Sequence, residues 1–195
     1  MKTRDRDVRQ KLHEVLSREF LCDDDTIIID ELGLCQGEAR IDIAVINGSL
    51  HGYEIKSDSD TLERLPRQVD IYNKVLDYIT IVTGKNHIDK INDLVPSWWG
   101  IQQVEKVSKD KVNMQTIREP GINPEVDPYS LAQLLWKEEA LELLTIFGME
   151  KGYISKSRKV IWKRLTEVLT LNELQFHVRQ QLKLRSNWRS DAKQM

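Results

Sequence analysis

Residues 40–60 constrain this chain more than any other stretch, because they predict two neighbouring β-strands that carry charged side chains. The segment reads R-I-D-I-A-V-I-N-G-S-L-H-G-Y-E-I-K-S-D-S-D. Asn47-Gly48 separates two apolar runs and is typical of a turn between antiparallel strands. The first run contains one carboxylate, Asp42, and the second ends in Glu54-Ile55-Lys56. A buried, unpaired carboxylate costs several kcal/mol, so Asp42 requires a metal ion, a cation or solvent.

The length of the turn decides whether Asp42 and Glu54 can meet. Side chains alternate between the faces of a strand, so Asp42 shares a face with Ala44, opposite Ile41. A two-residue turn would put the two carboxylates on opposite faces of the sheet. A three-residue turn pairs Ile46 with Leu50 and places Asp42 opposite Glu54, and we predict this register or a bulge with the same effect.

Two carboxylates that meet in this way suit a hard, oxygen-seeking ion such as Mg²⁺ or Mn²⁺. The backbone carbonyl of Ile55 is a candidate for a further ligand, and Lys56 lies beside the predicted site. A bound ion and a nearby lysine are suited to hydrolysis of a phosphodiester. The plainer alternative is an ordinary surface salt bridge between Glu54 and Lys56.

Periodicity predicts an α/β fold with a mixed β-sheet flanked by helices. Helical patterns cover residues 5–20, 61–77, 87–94 and 128–147, followed by a long helical region at 156–184 that is interrupted near Leu171. Strand patterns cover residues 26–30, 41–46, 50–55, 78–83, 99–107 and 112–117. Three of the five prolines lie in residues 119–128. We therefore divide the chain into a core at 1–118, a proline-rich linker at 119–128 and a C-terminal helical extension at 129–195.

The charge of the chain is distributed unevenly. Residues 149–195 carry 11 Lys/Arg and 4 Asp/Glu, whereas the rest of the chain carries 18 and 27, for a net charge of −2. A basic extension indicates a polyanionic partner such as DNA, and the candidate contacts are Lys156, Arg158, Lys159 and Lys163. The alternative is that the extension packs on the acidic core and exposes a solvated basic face.

Several features favour a cytoplasmic protein that does not enter a membrane. No apolar run approaches the roughly 18–20 residues that span a bilayer. The first residues, M-K-T-R-D-R-D-V-R, lack the apolar segment of a secretion signal. The cysteines, Cys22 and Cys35, form neither a disulfide framework nor a zinc-binding pattern.

A second group of polar residues lies on the helix that follows the Glu54 strand. Gln68 and Tyr72 are four residues apart and therefore share one helical face with Arg64. Facing a metal centre, this pair could position a phosphate, a water molecule or Lys56, while Arg64 and Arg67 are candidate DNA contacts. The alternative is a polar solvent face with Tyr72 half-buried.

Three motifs together resemble the PD-(D/E)XK nuclease superfamily, in particular its RecB-like branch. They are G-x-x-R-I-D at 37–42, E-I-K at 54–56 and Q-x-x-x-Y at 68–72, in that order. The resemblance covers about residues 5–107, and the segment is also similar to small uncharacterised bacterial and phage proteins assigned to that superfamily. Ile41 stands in place of the proline in the superfamily name, as in many members.

The resemblance implies a restriction-endonuclease-like core and metal-dependent hydrolysis of DNA. Asp42 and Glu54 would bind Mg²⁺ or Mn²⁺, Lys56 would be the catalytic lysine, and Gln68 and Tyr72 would be accessory residues. A further acid is expected, for which Glu31 is favoured over Asp7, Glu14 and Glu38. Many members work as dimers, so a homodimer stays open. The rival hypothesis is a non-catalytic module of this fold that binds DNA or a protein.

Overall fold

The computed structural model describes residues 2–108 and 111–185, which form a six-stranded mixed β-sheet with helices on both faces. The strands are β1 (Ile27–Leu34), β2 (Ala39–Ile46), β3 (Leu50–Lys56), β4 (Tyr78–Gly84), β5 (Gly100–Ser108) and β6 (Lys111–Arg118). They lie side by side in chain order. β3, β4 and β5 are parallel and the other neighbours are antiparallel. The predicted α/β class with a mixed sheet is confirmed.

The structure has helices in all the predicted regions, but the bounds of several differ from the prediction. They are α1 (Asp5–Glu19), α2 (Leu65–Tyr72), α3 (Ile88–Leu94), α4 (Pro128–Ala132), α5 (Lys137–Ile146), α6 (Arg158–Val168) and α7 (Leu171–Leu184). The helix predicted at 61–77 is too long, because Pro66 lies in the first turn of α2 and turns follow Tyr72. The helix predicted at 128–147 is wrong as one element, because it is split into α4 and α5. The predicted break near Leu171 is confirmed.

The sheet is covered on both faces. On one face, α1 packs Val8, Leu12 and Leu16 against strand residues that include Ile43 and Ile55. On the other face, α2 and the C-terminal helices share a single hydrophobic cluster, in which Leu76 and Trp162 are fully buried. The end of the proposed extension, residues 186–195, lies outside the described residues. No helix in residues 2–108 and 111–185 is long and apolar enough to cross a membrane.

Asp77 connects the C-terminal helices to the hairpin that carries the predicted site. Its Oδ2 accepts a hydrogen bond from the backbone N–H of Leu50 at 2.7 Å, at the start of β3. On α7, Arg179 lies 3.0 Å from the same oxygen, and Gln175 donates to Oδ1 at 2.7 Å. A buried carboxylate satisfied by several donors in this way fixes α7 relative to β3.

The turn between β2 and β3 has the predicted three residues, Asn47, Gly48 and Ser49. Ile46 pairs with Leu50, so the predicted register is confirmed. The side chain of Asn47 accepts a hydrogen bond from the N–H of Ser49 at 3.0 Å and thereby stabilises the turn. In the direction of Asp42, the β2–β3 pairing stops at the neighbouring residue, Ile43. There the regular alternation fails, and Ile41 is buried in the same cluster as Ala44 rather than on the opposite face.

Candidate active site

Three carboxylates lie in one row across β1, β2 and β3. The β1–β2 register aligns Glu31 with Asp42, and the β2–β3 register aligns Asp42 with Glu54. Within the described strands the β1–β2 and β2–β3 ladders both skip this row, whereas Glu54 stays paired with Ile81 of β4. All three residues line one cleft of about 790 Å³. The row is therefore accessible to a ligand.

The backbone of Glu31 is strained. Its φ angle is 58°, in the left-handed region that side chains other than glycine rarely adopt. Such a conformation costs on the order of 1–3 kcal/mol and persists only where the surroundings impose it. Two arginines contact the Glu31 carboxylate, Arg9 at 3.0 Å and Arg40 at 3.6 Å. The strain and the ion pairs together indicate that the position of this carboxylate is constrained by its surroundings.

Glu54 is hydrogen-bonded by three side chains, and it is 1% exposed. Its Oε1 accepts hydrogen bonds from the ammonium of Lys56 and, at 2.7 Å, from the amide of Gln68. Its Oε2 accepts a hydrogen bond from the hydroxyl of Tyr72 at 2.7 Å. The structure therefore brings together the predicted residues Glu54, Lys56, Gln68 and Tyr72.

The amide of Gln68 has one unused atom. Its nitrogen donates to Glu54 and, at 3.0 Å, to the hydroxyl oxygen of Tyr72. Its oxygen is buried and has no hydrogen-bond partner among the described residues. A buried acceptor without a partner costs about 1–3 kcal/mol. Gln68 lines the cleft, so a cation or a donor that enters it could satisfy this oxygen.

The pKa of Asp42 is raised although its carboxylate has two hydrogen-bond partners. Its Oδ2 accepts a hydrogen bond from the N–H of Ile55 at 2.7 Å, and its Oδ1 accepts one from Arg9 at 2.8 Å. Burial, followed by the charge of Glu54, nevertheless raises the pKa of Asp42 to about 7. Asp42 is consequently only partly ionised at neutral pH.

The residues of the cleft fit a hard divalent cation in part. The described residues contain no group of three or more His, Cys, Asp or Glu side chains arranged to hold a metal. Asp42 and Glu54 nevertheless supply two carboxylates, and the Gln68 oxygen lacks a partner. Mg²⁺ is commonly bound by one or two carboxylates and keeps several waters. These oxygen donors are of the type that such an ion prefers.

The candidates for a further acid fall into two groups. Asp7 lies 2.6 Å from Lys106, and Glu14 pairs with Lys11 and Arg18; neither acid lines the cleft. Glu31 and Glu38 do line it. Two more acids of the lining, Asp5 and Asp60, were not predicted from the sequence.

The predicted DNA-contacting residues lie in two places. Arg64 and Arg67 are exposed and line the cleft. The four C-terminal candidates are exposed, lie in α6 or just before it, and do not line the cleft; they are Lys156, Arg158, Lys159 and Lys163. The opposite face of α6 packs Ile161 and Leu165 into the core. The helix therefore combines a packing face with a basic face.

Arg9 is the contact that the sequence did not predict. Its guanidinium lies between Asp42 and Glu31, at 2.8 and 3.0 Å from their carboxylates. Asp5, Arg9 and His13 are spaced four residues apart, which places them on one face of α1. This polar row is visible in the sequence, but the strand that it faces is not.

Comparison with known proteins gives one family. The family model described as Bacteriophage P4 protein cII matches residues 1–193. Protein cII of Enterobacteria phage P4 is 27% identical over 171 residues, which cover 88% of this chain and 63% of that protein. The chain thus spans less than two thirds of the length of this relative. Among solved structures, a protein of unknown function from Silicibacter pomeroyi aligns with a TM-score of 0.43 and 17% identity, covering 76% of this chain and 97% of the other.

Proposed function

The chain belongs to the bacteriophage P4 protein cII family, and we propose that it is a metal-dependent deoxyribonuclease that acts at the Asp42–Glu54 cleft. The observation that carries the proposal is the network around Glu54, in which Lys56, Gln68 and Tyr72 all donate to one buried carboxylate. An ordinary surface salt bridge between Glu54 and Lys56 would not explain why Glu54 is buried with three donors. It would also not explain the raised pKa of the neighbouring Asp42. The resemblance to PD-(D/E)XK nucleases rests on the same residues.

Asp42 and Glu54 would hold Mg²⁺ or Mn²⁺, with the Gln68 oxygen and the Ile55 carbonyl as further donors. When bound, the ion polarises the scissile phosphate and lowers the pKa of a coordinated water. Oxygen donors alone suit these two ions. The fit is supported by the acid excess of the cleft, which is lined by six Asp/Glu and four Lys/Arg.

The other residues would act on orientation and charge. Lys56 is 6% exposed at the bottom of the cleft, where its ammonium can stabilise negative charge that develops on a phosphate or orient the attacking water. Burial and the charge of Glu54 raise the pKa of Tyr72 far above its ordinary value, so its hydroxyl stays protonated and donates. Gln68 and Tyr72 would thereby fix the direction of the Glu54 carboxylate.

Arg64 and Arg67 would contact the DNA backbone at the edge of the cleft, and the basic face of α6 would provide a second contact. Phosphate contacts make affinity depend on salt: the logarithm of the binding constant falls with the logarithm of the salt concentration, with a slope of about −0.9 per neutralised phosphate on duplex DNA. The double variant Arg64→Gln/Arg67→Gln should reduce that slope by about one to two, and so should Lys156→Gln/Lys159→Gln. Lys85→Gln/Lys90→Gln, at exposed positions outside both groups, is the matched control and should leave it unchanged.

The decisive experiment is cleavage of plasmid, linear duplex and single-stranded DNA with Mg²⁺ or Mn²⁺. We expect the wild type to cut at least one substrate, and Asp42→Ala and Lys56→Ala each to lose about 100-fold or more in rate. Lys106→Ala is the matched control, since Lys106 is also a partly buried lysine paired with a carboxylate, Asp7, but does not line this cleft. Circular dichroism would verify that each variant is folded.

Two outcomes would count against the nuclease. Cleavage that survives both Asp42→Ala and Lys56→Ala would show that another site, or a contaminant, cuts the DNA. Salt-dependent DNA binding by the wild type, without cleavage and without Mn²⁺ binding in calorimetry, would favour the non-catalytic module.

A further inference from the structure

We propose that Arg9 is a built-in counter-cation that occupies the space between Asp42 and Glu31 and is displaced when a divalent ion binds to Asp42. The inference rests on the proposed metal site and assigns a new role to a residue of α1. Nη2 of Arg9 lies 2.8 Å from Oδ1 of Asp42 and 3.0 Å from Oε1 of Glu31. One nitrogen thus bridges two carboxylates, as a metal ion that they shared would do.

Arg9 and a divalent ion would compete for the same oxygen of Asp42. Its Oδ2 is engaged by the N–H of Ile55 at 2.7 Å, which leaves Oδ1, the oxygen that Arg9 contacts, for an incoming ion. The second amino group of Arg9, Nη1, donates to the backbone carbonyl of Asp42 at 3.1 Å, so the guanidinium lies against this residue from two directions. A divalent ion and a guanidinium at the same oxygen would repel each other.

The charges of the row favour the exchange. With Asp42 ionised, Glu31, Asp42 and Glu54 carry three negative charges, and Arg9 and Lys56 lie within 3.0 Å of them. Arg40 lies farther away, 3.6 Å from Glu31, with a 61% exposed side chain. Replacing Arg9 by a divalent ion would place one more positive charge beside these carboxylates.

Arg9 has alternative partners when it leaves. Its Nε lies 3.5 Å from Asp5 and its Nη1 lies 3.7 Å from Asp30, and both acids are more exposed than Asp42. A small rotation of the side chain would preserve these ion pairs and release Asp42 and Glu31. Glu31 would then lose its contact with Arg9 and could join the ion as the third acid. The apparent affinity for the ion is accordingly reduced by the fraction of molecules in which Arg9 remains in place.

The test is titration of Mn²⁺ into metal-free protein, followed by the electron paramagnetic resonance signal of free Mn²⁺ and by calorimetry. We expect Arg9→Gln to bind Mn²⁺ at least tenfold more tightly than the wild type, because the competitor is gone. Arg18→Gln is the matched control, because Arg18 lies on the same helix and its Nη2 lies 2.6 Å from the Glu14 carboxylate. Neither residue of this pair lines the cleft. Its Kd should equal that of the wild type.

A double variant tests whether Glu31 joins the ion. In a Glu31→Gln background the gain from Arg9→Gln should shrink to threefold or less, since the released acid is missing. If Arg9→Gln does not fold without metal, Arg9→Lys replaces it, and should also bind Mn²⁺ more tightly because an ammonium lacks the guanidinium's second donor group, which contacts the Asp42 carbonyl.

An unchanged or weaker Mn²⁺ affinity in the folded Arg9 variants would overturn the inference. The proposed function would survive that result if wild-type binding is lost in Glu54→Gln and DNA is cut. Absence of Mn²⁺ binding in both the wild type and the Arg9 variants would overturn both. Binding by Arg9→Gln alone would support the counter-cation.

Discussion

The raised pKa of Asp42 predicts a large dependence of stability on pH in the absence of metal. A carboxyl whose pKa is raised by folding binds its proton more tightly in the folded than in the unfolded chain. Its contribution is therefore fully present below the unfolded value of 3.8 and is lost as pH rises through the folded value of about 7. The wild type should thus become less stable, relative to a variant without this group, as pH rises from 4 to 8.

The size of the effect follows from the two values. At about 1.4 kcal/mol per pH unit, a pKa moved from 3.8 to about 7 corresponds to about 4 kcal/mol of unfolding free energy. Only 20% of the side chain of Asp42 is exposed, so solvent screening removes little of this amount. The difference should accumulate between pH 4 and pH 7 and then level off.

The assay is urea unfolding in EDTA, followed by the fluorescence of the buried Trp99 and Trp162. The unfolding free energy of the wild type minus that of Asp42→Asn should fall by about 4 kcal/mol between pH 4 and pH 8. Asp58→Asn is the control, because hydrogen bonds from Thr3 lower the pKa of Asp58 below 3.8 despite its partial burial. The wild type therefore gains on that variant mainly below pH 4, and their difference should stay nearly constant between pH 4 and pH 8. A difference for Asp42→Asn that stays flat within about 1 kcal/mol would refute the reasoning.

Three further predictions concern residues around the site and the sheet. Burial lowers the pKa of His51 to about 4, so the wild type should lose about 3 kcal/mol relative to His51→Gln as pH falls from 7 to 4 in the same assay. Tyr72→Phe removes a donor from the buried Glu54 and should lower the unfolding free energy by about 1–3 kcal/mol in urea at pH 7. Gly52→Ala would place a Cβ 2.5 Å from Leu76 and should cost about 1–3 kcal/mol, whereas Gly33→Ala, with open space around it, should cost less than about 1 kcal/mol by calorimetric melting.

The register of the hairpin could be predicted because one residue of slip reverses every side chain of a strand. The requirement that Asp42 and Glu54 share a face predicts an odd turn, and the chain adopts that turn. The alternation fails at Ile41, so the turn alone does not explain how both carboxylates line one cleft. Gln68 and Tyr72 were predictable for a similar reason, since a spacing of four fixes a helical face. Short-range periodicity therefore predicted most of the residues of the site.

Features that depend on tertiary contacts were not predictable. Nothing in the residue type marks Glu31 for a left-handed backbone, because glycine and asparagine are the usual residues there. The break before α5 was missed for a local reason: Glu139 accepts a hydrogen bond from the N–H of Trp136, three residues earlier, but tryptophan is not a usual residue at the start of a helix. The contact of Arg9 with Asp42 joins residues that are 33 positions apart.

Asp42 is the carboxylate at which a proton, Arg9 and the proposed ion would compete. Arg9 contacts Asp42 and still leaves its pKa at about 7, because burial and the charge of Glu54 outweigh the guanidinium. A proton removes the negative charge of Asp42, and a divalent ion in the place of Arg9 would compensate that charge more fully than a guanidinium does. Metal affinity should therefore rise with pH until Asp42 is fully ionised, and below neutral pH the proton, like Arg9, becomes a competitor of the ion.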